Sequence, residues 1–185
     1  MQSRAGQLAL GLALLLAGST AAWPQNERIP QTHGTSLAGT PITLPEDLRG
    51  RVGVLVIGFS KSSGDVCKGW GQRLGDNYRD SHEVAYYQMP VLESVPKLIR
   101  GMVVKSIKSG VPEAEQAHFL PMFTDEAAWQ KIAHYGNADD AYVLVVDPEG
   151  TVRWQTSGKV SDTGFAVLKQ QIEATRAHLP NSVKK

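Results

Sequence analysis

The chain has one cysteine, Cys67, set where a thiol is made reactive. It follows the polar loop Gly58-Phe59-Ser60-Lys61-Ser62-Ser63-Gly64-Asp65-Val66, which joins an apolar run to a helical stretch. A cysteine in the first turn of a helix has its thiolate favoured by the helix dipole, and Lys68 adds positive charge. Two chemistries compete for such a residue. Dithiol exchange needs a second sulfur, most simply in Cys-x-x-Cys, yet Gly64 stands three residues before Cys67. A single thiol instead suits a peroxidase-like enzyme in which Cys67 is catalytic and an external thiol resolves it. The plain alternative is a small buried residue packing a helix onto a sheet.

Other side chains suit binding more than catalysis. Trp70, Arg73, Arg153 and Trp154 are of the types enriched at interface hot spots, so Trp70, Arg153 and Trp154 are candidate partner-binding residues. Their alternative is Trp70 under a helix and Arg153 in a surface ion pair. Lys97, Arg100, Lys105 and Lys108 fall on one arc of a helix, with most apolar residues opposite. That basic face suits peripheral contact with anionic membrane or an acidic partner, or is simply solvated. The five histidines are scattered, and Asp125-Glu126 and Asp139-Asp140 are adjacent rather than facing pairs. No metal site and no cofactor are expected.

Lys and Arg number 19 against 18 Asp and Glu, so composition gives no nucleic-acid signal. Met1-Gln2-Ser3-Arg4, the apolar run from Leu8 to Ala17 and the small residues Gly18 to Ala22 read as a cleaved signal peptide over 1–22. The run falls short of the roughly twenty residues of a membrane-spanning helix. A periplasmic location follows as an expectation. Residues 23–36 read as a flexible leader, 37–180 as one domain and 181–185 as a basic tail.

These residues are held by an alternating series of elements. Ile42-Thr43-Leu44 reads as a short edge strand, and Val52 to Phe59 as a buried strand. Ser63 or Asp65 caps a helix running to about Tyr78. Val84 to Met89 is a second core strand, and residues 91–109 form a longer helical region. Thr124 caps a further helix. Tyr142 to Val146, the turn Asp147-Pro148-Glu149-Gly150 and Thr151 to Trp154 make a hairpin. Ser161 or Asp162 starts a last helix with Phe165, Leu168 and Ile172 on one face.

The order strand, helix, strand, helical insert, helix, hairpin, helix resembles the thioredoxin-like fold, an α/β mixed sheet with helices on both faces and a helical insert. Asp140-Ala141-Tyr142-Val143-Leu144-Val145-Val146-Asp147, then Gly150-Thr151-Val152-Arg153-Trp154 and Gly158, resembles a signature of the mitochondrial ATP-synthase assembly factors, thioredoxin-like proteins thought to chaperone the membrane-embedded subunit a. Ile107-Lys108-Ser109-Gly110-Val111-Pro112, Phe119-Leu120, Ile132 and Asn137 extend the resemblance over about residues 40–175. The hairpin is also similar to that of periplasmic thiol-disulfide reductases.

The chain departs from these families at three points. Ala141 stands where a glycine is usual, no proline lies between Asn137 and Tyr142 where thioredoxins have a cis-proline, and the N-terminus reads as an export signal. The resemblance implies a binding or assembly module on a thioredoxin-like fold. With the export signal, the missing first sulfur and the missing proline, the expectation is an exported module without dithiol activity and with an unknown protein partner in the envelope. The one-cysteine enzyme is the alternative.

Overall fold

The computed structural model describes residues 27–179. The expected signal peptide and basic tail lie outside the described residues. A hairpin of β1 (Thr32–Thr35) and β2 (Pro41–Leu44) comes first, pairing antiparallel with Thr32 opposite Leu44. The flexible leader expected over 23–36 is therefore corrected from residue 27 onward. Ile29 and Thr32 are buried and Ile29 N donates to Gly150 O at 2.9 Å, so this stretch is part of the domain. Its Pro and Gln content hid two well-placed apolar and β-branched side chains.

The main sheet contains β3 (Val52–Gly58), β4 (Val84–Pro90), β5 (Ala141–Val146) and β6 (Val152–Ser157), in the order β4-β3-β5-β6. β3 and β4 are parallel, whereas β5 runs antiparallel to both β3 and β6. Every residue of β3 and β5 is buried because both lie inside the sheet. Val52, Val54 and Val56 face one core, with Val143 and Val145 beside them. Leu55 and Ile57 face the other, with Leu144 and Val146. Period-two alternation along buried strands thus builds two cores from one sheet.

Two helices cover the valine face. α1 (Gly64–Tyr78) buries Trp70 and Leu74, and α4 (Asp162–Ala177) buries Phe165, Leu168 and Ile172. Ser161 caps α4, its Oγ accepting from Gly164 N at 3.0 Å. The short helix α3 (Glu126–Ile132) covers the other face with Trp129 and Ile132, joined by the β1-β2 hairpin. Thr124 does not cap it. Asp125 takes that position at φ 65°, and the helix receives an acceptor from afar: Glu126 N donates to Glu93 Oε2 at 2.7 Å.

The helical insert is shorter than the expected 91–109. Val91 bridges Met122 and Leu92 N donates to Met122 O, so the chain stays extended there. Pro96 follows, and helix begins as a single 3₁₀ turn at Lys97–Ile99 and continues as α2 (Arg100–Gly110). α2 has no buried residue. The insert's apolar side is uncovered at its start, with Leu98 of the 3₁₀ turn 100% and Met102 73% exposed, while Val103, Val104 and Ile107 are half-buried. A further 3₁₀ segment, Glu113–His118, returns the chain to the edge of β4. Among the described residues no helix is long and apolar enough to cross a membrane.

Candidate functional site

The loop between β3 and α1 is tied down by its serines. Ser60 Oγ donates to Ala138 O at 2.6 Å, and Ser62 Oγ donates to the Asp139 carboxylate. Ser63 Oγ donates to Ser60 O at 2.9 Å while Ser60 Oγ accepts from Ser63 N at 3.1 Å. Ser63 holds the position before α1, yet its side chain folds the loop rather than capping the helix. The segment that receives these bonds is fixed by Tyr142, whose hydroxyl accepts from Gly136 N and Asn137 N and donates to Asn137 O. The loop and the segment leading into β5 are therefore latched across 77 and 78 residues of sequence.

Cys67 follows this latched loop, in the first turn of α1. Its sulfur and Ser63 Oγ crowd Gly58 so closely that a Cβ there would lie 2.9 Å and 2.7 Å from them. The surroundings of Cys67 work against an activated thiolate. Burial pushes the thiol up to about 11, outweighing the hydrogen bond from Ser63 and that of its own backbone. Desolvation of the thiolate in this half-buried position exceeds what the helix start supplies.

Cys67 nevertheless lines the edge of a cleft of about 660 Å³ between α1 and α2. Lys61, Lys68, Gln72, Asp76 and Arg79 mark one side, and Ser106, Ile107, Gly110 and Val111 the other. At the far end Arg79 Nε donates to Glu115 Oε1 at 2.9 Å, and Tyr86 Oη donates to Glu115 Oε2 at 2.9 Å. Burial raises the Tyr86 hydroxyl further above its ordinary range, and the hydrogen bond to Glu115 adds to this. His118 stacks on Tyr86 with ring centroids 4.0 Å apart, and burial lowers its pKa.

The floor of the cleft includes Gln88, only 7% exposed. Its amide lies against α1 where Gly71 leaves room, since a Cβ at Gly71 would fall 2.2 Å from Gln88 Cδ. Sequence reading passed over Gln88, Glu115, Arg79 and the Ser62–Asp139 latch. One signal was present: a glutamine inside the otherwise apolar and aromatic Val84-Ala85-Tyr86-Tyr87-Gln88-Met89 run.

The proposed binding trio is not brought to one surface. Trp70 is 2% exposed, with Nε1 donating to Gly158 O at 2.9 Å, which removes it from any docking face. Trp154 packs beside the same core as Trp70 and is half-buried. Arg153 pairs with Asp147, Nε to Oδ2 at 2.8 Å. Buried Asp147 also accepts from Glu149 N and Thr151 N through Oδ1, so the hairpin signature is a structural clasp. On the basic face, Arg100 is held over the Phe123 ring at 4.8 Å and donates to Val95 O, whereas Lys97, Lys105 and Lys108 are exposed. No group of three potential metal ligands occurs among the described residues.

A mixed sheet of order β4-β3-β5-β6, with a helix starting just after β3 and carrying a cysteine in its first turn, defines a thioredoxin-fold protein. Within that class the chain belongs to the ATP10 protein family, the family of ATP synthase assembly factors, whose profile matches residues 18–174. Solved structures show the same fold. The thioredoxin domain of a thiol-disulfide oxidoreductase from Bacteroides vulgatus superposes with a TM-score of 0.55 at 14% identity, covering 82% of this chain and 99% of that one. A thiol:disulfide interchange protein DsbE from Chlorobium tepidum gives 0.55 at 16% identity, covering 84% and 99%. BsSco, of the Sco family of cytochrome c oxidase assembly proteins, gives 0.57 at 11% identity, covering 84% and 97%. No curated protein matches significantly.

Proposed function

We propose that the protein is an exported binding or assembly module of the envelope, working on a thioredoxin scaffold without dithiol chemistry. The observation that carries this reading is the latch. An exchanging thiol needs a thiolate and open access for a partner disulfide. Here Ser60 and Ser62 bind the loop to Ala138 and Asp139, which fixes the backbone before Cys67, and burial disfavours the Cys67 thiolate. Family membership supports assembly as the role, and the apolar stretch before Trp23 supports export to the periplasm. Lys97, Lys105 and Lys108 beside exposed Leu98 and Met102 support peripheral contact with an anionic membrane as the place of work.

Two measurements test this. With dithiothreitol as reductant, the purified protein is expected to leave insulin disulfides intact; turnover at a rate typical of thioredoxins would overturn the reading. Photo-crosslinking in envelope preparations is expected to capture a membrane polypeptide equally with wild type and Cys67→Ser. Peroxide consumption that disappears in Cys67→Ser would instead establish the one-cysteine peroxidase.

A further inference from the structure

The cleft between α1 and α2 contains a polar group that the fold leaves unanswered. Gln88 is 7% exposed, and its side-chain amide makes no hydrogen bond with any described residue. Its polar atoms are not sealed from solvent, so water meets them in the cleft and an occupant with matching polar groups takes over that place. Position 88 is not polar by accident of space, because Gly71 is shaped around the amide. Beside it stand Val56, Met89, Ile107, Val111, Pro112 and Phe119, which are apolar. The volume of about 660 Å³ falls within the range of roughly 300–1,000 Å³ that ligand clefts occupy.

We propose that this cleft seats an extended, apolar stretch of polypeptide whose backbone amide pairs with Gln88. A primary amide offers one acceptor and a pair of donors, which matches the C=O and N–H of a peptide unit. The cleft follows α1 from Lys61 to Arg79, and a helix of that length spans ~22 Å, room for about seven extended residues. Charge gives the segment a direction. Lys61 and Lys68 are exposed without an ion-pair partner among the described residues, and they lie at the positive end of the helix, where Asp65 offsets only one of them. At the other end Asp76 is exposed and Glu115 is already engaged by Arg79 and Tyr86. The occupant places an acidic residue near Lys61 and Lys68. α2 forms one wall without burying a residue, so it moves to admit or release the segment at little cost to the core.

This site rests on the reading of the protein as a binding module and locates its polypeptide seat. The probe is a fluorescein-labelled synthetic peptide of about seven Val, Leu and Phe residues with a terminal Glu, matched by one with a terminal Lys. Anisotropy titration is expected to show the Glu peptide binding more tightly, with the preference reversed in the Lys61→Glu/Lys68→Glu variant. Gln88→Leu should weaken binding about tenfold while its unfolding midpoint holds, since the amide makes no hydrogen bond within the fold. Ile107→Asp, on a helix with no fully buried residue, should weaken binding with the fold intact. Equal binding by wild type, Gln88→Leu and Ile107→Asp would overturn the proposal, as would binding of dodecanoate with none of either peptide. Envelope crosslinking that persists undiminished in both variants removes this cleft and leaves the assembly role standing; absence of crosslinking in wild type removes the role itself.

Discussion

Cys67 and Gly71 show how neighbours decide what a residue does. The thiol starts a helix beside Lys68, yet burial pushes it to about 11. At pH 8 its alkylation by iodoacetamide is therefore expected to run about a hundredfold slower than that of a free cysteine. Because the folded value lies above the unfolded one, the thiol's contribution to stability is complete below about pH 9 and is lost as pH rises through about 11. Urea midpoints across that window should fall less steeply for Cys67→Ala. Gly71 is determined by close approach. Gly71→Ala should cost about 1–3 kcal/mol by overpacking against Gln88, and Gln88→Ala in the same chain should restore most of it, measurable as a double-mutant cycle.

At the scale of elements, α1 and α2 are opposites. α1 contains four glycines and so has poor intrinsic propensity, but Trp70 and Leu74 anchor it in the core. α2 has a recognisable amphipathic pattern but no fully buried residue. Hydrogen exchange should therefore protect the amides around Trp70 and Leu74 far more strongly than those of Met102 to Lys108, by orders of magnitude. Comparable protection in the two helices would show that α2 is packed more firmly than its exposure implies. Both helices were legible in the sequence, but which of them the core covers was not. A 3.6-residue pattern reports a face, and the face says nothing about what covers it.

For the whole molecule, the edge of the sheet gives stability a pH dependence. His118 lies at β4's outer edge, just before Phe119 to Met122 run alongside it, stacked on Tyr86, with its Nδ1 3.2 Å from Tyr86 O and Glu115, Arg79 and Arg51 around it. Burial lowers its pKa, so its contribution is complete above the ordinary value of about 6.5 and is lost as pH falls through the folded value. Denaturation midpoints should decline as pH is lowered below about 6.5, and His118→Phe, which keeps a stacked ring, should flatten that decline. A slope unchanged in the variant would place the acid sensitivity elsewhere.

The sequence by itself determined the thioredoxin-like order of elements, the hairpin signature and the loss of the dithiol pair. Each is written locally, in Val-rich runs, in Asp147 and Gly150, and in the identity of residue 64. Tertiary structure alone decided the site. Trp70, attractive as a contact residue, turned inward because α1 presents it to the sheet. Arg153 became a clasp once β6 placed it beside Asp147. The leader became a strand because β2 lay ready to pair with it. The Ser62–Asp139 latch and the Gly71–Gln88 contact join residues far apart in the chain. No local pattern encodes such pairs, because their geometry exists only after the sheet has brought the segments together.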